Sequence, residues 1–209
     1  MATKKPTQPP TKKTTLKPTP TALSTLAPAN PQAWWDWLAT QHGSSPGVWL
    51  KLNKKASGAV NLSYAEALDA ALAWGWIDGQ KGSLDESAWL QKFSPRRPKS
   101  TWSKINRDKI HALIVAGKMQ PSGLAVVEAA KQDGRWDAAY DPPSRAAVPD
   151  DFKRAMDAEP AAAAFFATLD ATNRYALLHR IQTAKKPETR TRRIADYVAM
   201  LARQVKLYP

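Results

Sequence analysis

Residues 73–106 gather four of the chain's nine tryptophans, Trp74, Trp76, Trp89 and Trp102. Rings of that size dominate the energetics of whatever core they enter, so this stretch has to sit at the centre of a packed unit. The same segment interleaves the rings with Lys81, Arg96, Arg97, Lys99 and Lys104 and places Asp78 among them. A core and a polar surface are therefore expected side by side, and the rest of the chain is read outward from here.

Asn30-Pro31 opens a helix, with Asn as N-cap and Pro at the first helical position. It carries Trp34, Trp35, Trp37 and Leu38 and closes at Gly43. Val48–Leu52 reads as a strand, residues 53–58 as a turn and Ala59–Leu62 as a short strand pairing back. Ser63-Tyr64-Ala65-Glu66 is a capping box. Leu68, Ala71, Leu72, Gly75 and Trp76 continue it at helical spacing, up to a stop at Asp78-Gly79. Gln80–Leu84 and Ala88–Phe93 are expected as two short strands, and Ser94–Ser100 as a loop stiffened by Pro95 and Pro98. Helices are expected over Trp102–Gly117 and from Gln120-Pro121 through Ala130. Beyond a linker, the chain reads as helical again from Pro149, restarting at Pro160, Asp170 and Pro187, with Ile194, Val198, Leu201 and Val205 turned inward. The fold class is thus α+β: a small mixed N-terminal domain with a short antiparallel sheet, residues 30–140, a linker, 141–148, and an all-helical module, 149–206.

Residues 1–29 precede this. Pro, Thr and Lys dominate them and little could be buried, so they read as a disordered basic leader. The formal net charge is +13. Residues 1–30 hold Lys4, Lys5, Lys12, Lys13 and Lys17 and no acid, which leaves the folded part basic in its own right. Excess positive charge favours polyanions, though it also serves simply to keep a protein in solution. No cysteine is present, which removes thiolate chemistry, thiolate metal sites and disulfides. No apolar run approaches the roughly 20 residues of a membrane span. The cytoplasm is the expected location.

Two basic constellations stand out. One joins Trp76, Asp78, Lys81, Arg96, Arg97, Lys99, Trp102 and Lys104, where aromatic faces and cations together suit an anionic or stacking ligand. Within it Asp78 is expected to pair with Arg96 or Lys81. The other is Lys185, Lys186, Arg190, Arg192 and Arg193 at a helix start, where cations oppose the helix dipole and an anion would relieve them. The first also reads as core rings with a solvated cationic rim, and the second as a solvated face. His42, His111 and His179 form no ligand-spaced motif. Neither a nucleophile motif nor a phosphate-binding loop is visible. No catalytic residue, metal site or cofactor is assigned.

Several motifs stand in a fixed order: Gly47-Val48-Trp49-Leu50, Ser63-Tyr64-Ala65-Glu66-Ala67-Leu68, Gly75-Trp76-Ile77-Asp78-Gly79, Phe93-Ser94-Pro95-Arg96, Trp102-Ser103-Lys104-Ile105-Asn106, Gly117-Lys118-Met119, Asp133-Gly134-Arg135-Trp136 and Ala184-Lys185-Lys186-Pro187-Glu188-Thr189-Arg190. Over roughly residues 31–205 the chain resembles the YdeI/OmpD-associated family, labelled bacteriocin-protection proteins, with an OmdA-type C-terminal module. Gln120 departs from the pattern, since relatives tend to carry a Thr that caps the next helix. The resemblance implies an α+β domain followed by helices and a link to antimicrobial-peptide stress, and no reaction. A more distant similarity to small iron-chaperone-like YdhG domains keeps weak iron binding open. The leading expectation is a non-catalytic cytosolic binding protein for an anionic ligand or protein partner. Weak, non-specific nucleic-acid binding through the basic surfaces is second, and an enzyme on a small anionic substrate third.

Overall fold

The computed structural model describes residues 23–54, 58 and 61–209. Residues 1–22 of the leader and residues 55–57, 59 and 60 of the expected turn and returning strand lie outside the described residues, and the described end of that strand, Asn61–Leu62, is a bend. Among those described, eight helices and four strands form an α+β architecture. The strands β1 (Thr25–Leu26), β2 (Val48–Asn53), β3 (Trp76–Ser83) and β4 (Ala88–Pro95) make one sheet in the order β1-β2-β4-β3. β2, β4 and β3 are antiparallel, as expected, whereas β1 adds in parallel to β2. The sheet is therefore mixed, and Thr25–Leu26 is a strand inside the range assigned to the leader.

Helix α1 (Pro31–Gln41) starts as the sequence indicates, with the Asn30 side chain accepting from Ala33 N at 2.9 Å. Helix α2 (Tyr64–Ala73) begins at the capping box, where Ser63 and Glu66 satisfy each other's backbone amides. It ends earlier than its apolar spacing suggests. Gly75 takes a φ of +80°, a conformation that ends helices and is cheap only for glycine. Trp76 and Asp78 consequently lie on β3, not on a helix end. The hairpin is longer than expected, eight residues on each side, with an irregularity between Asp78 and Lys81. Helix α3 (Lys104–Val115) starts at a Ser103 cap, which leaves Trp102 in the preceding loop. Helix α4 (Pro121–Gln132) crosses α2 so closely that a Cβ on Gly123 would fall 2.1 Å from the Ala73 carbonyl oxygen. The Gln120 side chain makes no cap bond, and its backbone N–H donates to Ala73 O at 3.0 Å.

The alternation of β2 sets the first core. Val48, Leu50 and Leu52 point to one face and meet Phe93, Trp34, Trp76 and the small residues of α2. Each large side chain so buried contributes about 1.5–3 kcal/mol. The second core belongs to α5 (Asp150–Asp157), α6 (Pro160–Thr168), α7 (Ala171–Gln182) and α8 (Pro187–Ala202), around Phe152, Phe166, Leu177, Ile181 and Leu201. Val205 lies past the end of α8 and is exposed, not inward as expected, because the chain turns at Gln204 with φ +57°.

A seam joins the two cores. Trp136 packs on Trp102 with centroids 4.9 Å apart, and Tyr140 bridges to Ser103 and stacks edge-on against His179 at 4.6 Å. Asp141 ties both sides together. Its carboxylate accepts from Lys104 at 2.6 Å and from Gln182 Nε2 at 2.9 Å, and its carbonyl accepts from the Tyr175 hydroxyl at 3.1 Å. Those bonds, Lys104's foremost, hold the Asp141 carboxyl below the usual carboxylate range.

Candidate anion-binding site

The fold takes up several residues of the first constellation. Trp76 is buried and donates through its indole N–H to His42 O at 3.0 Å. Trp102 is buried under Arg96, whose guanidinium carbon lies 3.6 Å from its ring centroid. Arg96 itself is 7% exposed and donates through one terminal nitrogen to Thr101 O at 2.9 Å. These three belong to the interior and offer no open recognition surface. Asp78 makes no ion pair with Arg96 or Lys81 within salt-bridge distance. It accepts instead from the Tyr64 hydroxyl at 2.7 Å, and burial together with Asp78 pushes the Tyr64 pKa up. No sequence rule points to this pair, since Tyr64 lies on α2, fourteen positions earlier. Lys81 sits over the Trp89 ring at 4.4 Å, and Lys104 is held by Asp141. Arg97 and Lys99 remain exposed on the loop after β4.

The second constellation divides in the same way. Arg190 makes a two-pronged pair with Asp151, at 2.6 and 2.8 Å, and also donates to Ile181 O at 2.9 Å. Arg193 donates to Arg180 O. Both satisfy carbonyls at the end of α7 that the helix leaves open. Lys185, Lys186 and Arg192 stay exposed.

What the structure brings together is Lys99 from the first set and Lys185 from the second. They line one cleft of about 560 Å³ between the two modules, with Thr101, Asp133, Gly134, Arg135, Gln182 and Thr183. Neither lysine makes an ion pair among the described residues. Arg135 is anchored through Nε to both oxygens of Asp133, at 2.8 and 2.7 Å, and through a terminal nitrogen to Ser100 O at 3.1 Å. Arg135's hydrogen bonds, with Lys185 a weaker contributor, hold the Asp133 carboxyl below its ordinary range. Three cations thus face one carboxylate, beside the hydroxyls of Thr101 and Thr183. Such a lining can hold a multiply charged anion by charge-assisted hydrogen bonds. Asp133 and Arg135 stood in a motif of the resemblance, yet sequence spacing alone did not join them to Lys99 or Lys185. Among the described residues no group of three or more His, Asp or Glu side chains lies together so as to hold a metal ion. No helix among them is long and apolar enough to cross a membrane.

Comparison with known families divides the chain at the same seam. Residues 145–204 match the OmdA family model, described as bacteriocin-protection, YdeI or OmpD-associated. The OmdA match covers the C-terminal helices and stops short of the wider resemblance expected from the sequence. Residues 26–126 match a different family model, a domain of unknown function (DUF8412). No curated protein and no solved structure matches the chain.

Proposed function

We propose that the chain is a non-catalytic cytosolic binding protein that holds a multiply charged anion in the cleft between its two modules, in a role tied to bacteriocin or antimicrobial-peptide protection. The OmdA match over residues 145–204 supports the protective role. The observation that carries the binding reading is the meeting of Lys99 and Lys185 in one cleft, where among the described residues neither is within ion-pair distance of a carboxylate and Asp133, already held by Arg135, is the acid that feels Lys185. A cleft shared by two modules also lets one ligand touch both, so binding would stiffen the pair. A ligand that binds only the folded state raises stability by about 2.7 kcal/mol at a hundred times its dissociation constant.

The test pairs purified protein with a strain lacking the gene. Pyrophosphate should raise the melting temperature of the wild type and leave a Lys99→Gln/Lys185→Gln variant unmoved. That variant should keep wild-type stability without ligand, since both lysines are exposed, and should fail to protect cells challenged with a bacteriocin. Full protection by a folded double variant refutes the reading.

A further inference from the structure

The sheet has a second face, in which the cleft takes no part. Val48, Leu50, Leu52 and Phe93 point toward α1 and α2. The opposite face presents Trp49 and Lys51 from β2 and Leu90 and Lys92 from β4, with Trp49 paired to Lys92 and Lys51 to Leu90. All four are half-buried, and neither Trp49 nor Leu90 belongs to either core. The outward positions of β2 and β4 hold no acid.

The orientation of the Trp49 ring follows from its neighbours. A Cβ placed on Gly82 would lie 3.8 Å from Trp49 Cζ3 and 3.5 Å from Leu90 Cβ. Yet Gly82 is on β3, and β4 stands between β3 and β2. Adjacent strands are about 4.8 Å apart, so an indole rooted on β2 reaches β3 only by lying along the sheet. A ring lying flat shows its face outward. The Lys92 stem crosses to β3 in the same manner, 3.8 Å from a Cβ placed on Gly79. Two glycines on β3 leave room for both side chains to lie down.

The edge strand β1 lies beside Trp49. Trp49 N donates to Ser24 O at 2.9 Å, and Thr25 is registered with Trp49. The sequence before that point holds Lys4, Lys5, Lys12, Lys13 and Lys17 and no acid. Lys17 is separated from Thr25 by a length of chain that spans at most roughly 29 Å when extended. A flat ring flanked by cations, with no acid at the outward positions of β2 and β4, with Asp85 of the β3–β4 turn near Lys51 and with a basic stretch of sequence before β1, matches one polymer in both its parts. Nucleobases stack on aromatic faces whatever their identity, and phosphates supply the counter-charge. A duplex keeps the faces of its bases occupied, and a run of Asp and Glu has no ring to stack.

We propose that this open face binds single-stranded nucleic acid, with a base stacked on Trp49 and Lys51 and Lys92 set to meet the flanking phosphates. Fluorescence anisotropy of a labelled oligouridylate of about 15 nucleotides, near the upper site size of one such surface, tests it on the full chain. Trp49→Ala should weaken binding by about 5- to 150-fold, the worth of one stacked base, and Trp49→Phe should restore most of it. Lys51→Gln with Lys92→Gln should lower the slope of log affinity against log salt by about 1.4, or roughly 0.7 for each phosphate no longer neutralised. A duplex of the same length should bind less tightly than the single strand, and the Lys99→Gln/Lys185→Gln cleft variant should bind as the wild type does. No binding at low salt, full affinity in a folded Trp49→Ala, or equal competition by duplex or polyglutamate would each overturn the proposal. Should Trp49→Ala fail to fold, the lysine pair decides, and an unchanged salt slope overturns it.

Discussion

Replacing Arg96 by Met and by Ala separates what its charge does from what its bulk does. The guanidinium is buried against Trp102 and, among the described residues, has one hydrogen bond, to Thr101 O, while its Nε meets no partner there. Burial pushes its pKa well below the ordinary guanidinium value, to about 10, partly countered by Tyr140 and Asp78 and reinforced by Arg135. At about 1.4 kcal/mol per unit, the charged form is disfavoured by roughly 3 kcal/mol relative to water. Against that stand a desolvated cation–π contact of about 2 kcal/mol and a charge-assisted hydrogen bond of about 1.5–3 kcal/mol. The two sides nearly cancel. Arg96→Met keeps the stem over the Trp102 ring and removes both the penalty and the attractions, so stability should move by less than about 1 kcal/mol. Arg96→Ala empties the space above the ring and should cost about 2–4 kcal/mol. Urea unfolding followed by tryptophan fluorescence and far-ultraviolet circular dichroism measures both. A drop above about 3 kcal/mol in the Met variant would refute the cancellation, and an Ala variant as stable as the Met one would refute the packing argument.

Asp151→Asn should cost the C-terminal helices about 1–2 kcal/mol, because it breaks the two-pronged Arg190 pair at a site only partly screened by water; a melt unchanged from wild type would count against it. Burial, with Arg180's charge second, holds the His179 pKa below its ordinary value of about 6.5. Its neutral ring therefore lends stability that is full above that pH and is lost as pH falls below it. Melting temperatures between about pH 7.5 and 5.5 should show this in the wild type and flatten in His179→Phe. Arg190 and Lys104 hold the carboxyls of Asp151 and Asp141 low, so what those groups lend is present above about pH 4 and is lost as pH falls below it. Removing residues 1–22 should leave the melting temperature nearly unchanged, whereas removing residues 1–27 should lower it by several degrees, because the second deletion takes away β1 and its hydrogen bond to Trp49.

Elements marked by local chemistry were legible in the sequence. The Asn30 cap, the Ser63–Glu66 capping box, the prolines that open α4, α6 and α8 and the Asp170 cap all stand where their side chains place them. The departure at Trp76 has a definite cause: helical spacing from Leu68 to Trp76 is genuine, but Gly75 reverses the chain before the pattern ends, and glycine's freedom carries no periodic signal. The two-residue β1 was illegible because its pairing comes from β2, not from its own composition. The candidate site was half legible. Lys99 and Lys185 were singled out as cations, yet no local rule says that residues so far apart in sequence share a cleft. Arg96 departs from expectation because proline-flanked loops usually expose their arginines, whereas here the Trp102 ring draws the guanidinium inward.

The seam around Asp141 limits how the two halves of this protein could be exchanged with those of other chains. Residues 127–144 fall outside both matched family ranges, yet they contain Asp133, Arg135, Trp136, Tyr140 and Asp141. A hybrid spliced at the edge of the OmdA match would carry these residues with the N-terminal half and would need a donor helix offering its own Tyr175, His179 and Gln182 to receive them. Donors lacking that trio should give two folded but uncoupled parts, each melting separately, with no shared wall for a ligand. Grafting those three side chains onto a foreign helix is the smallest change that should make such parts melt as one.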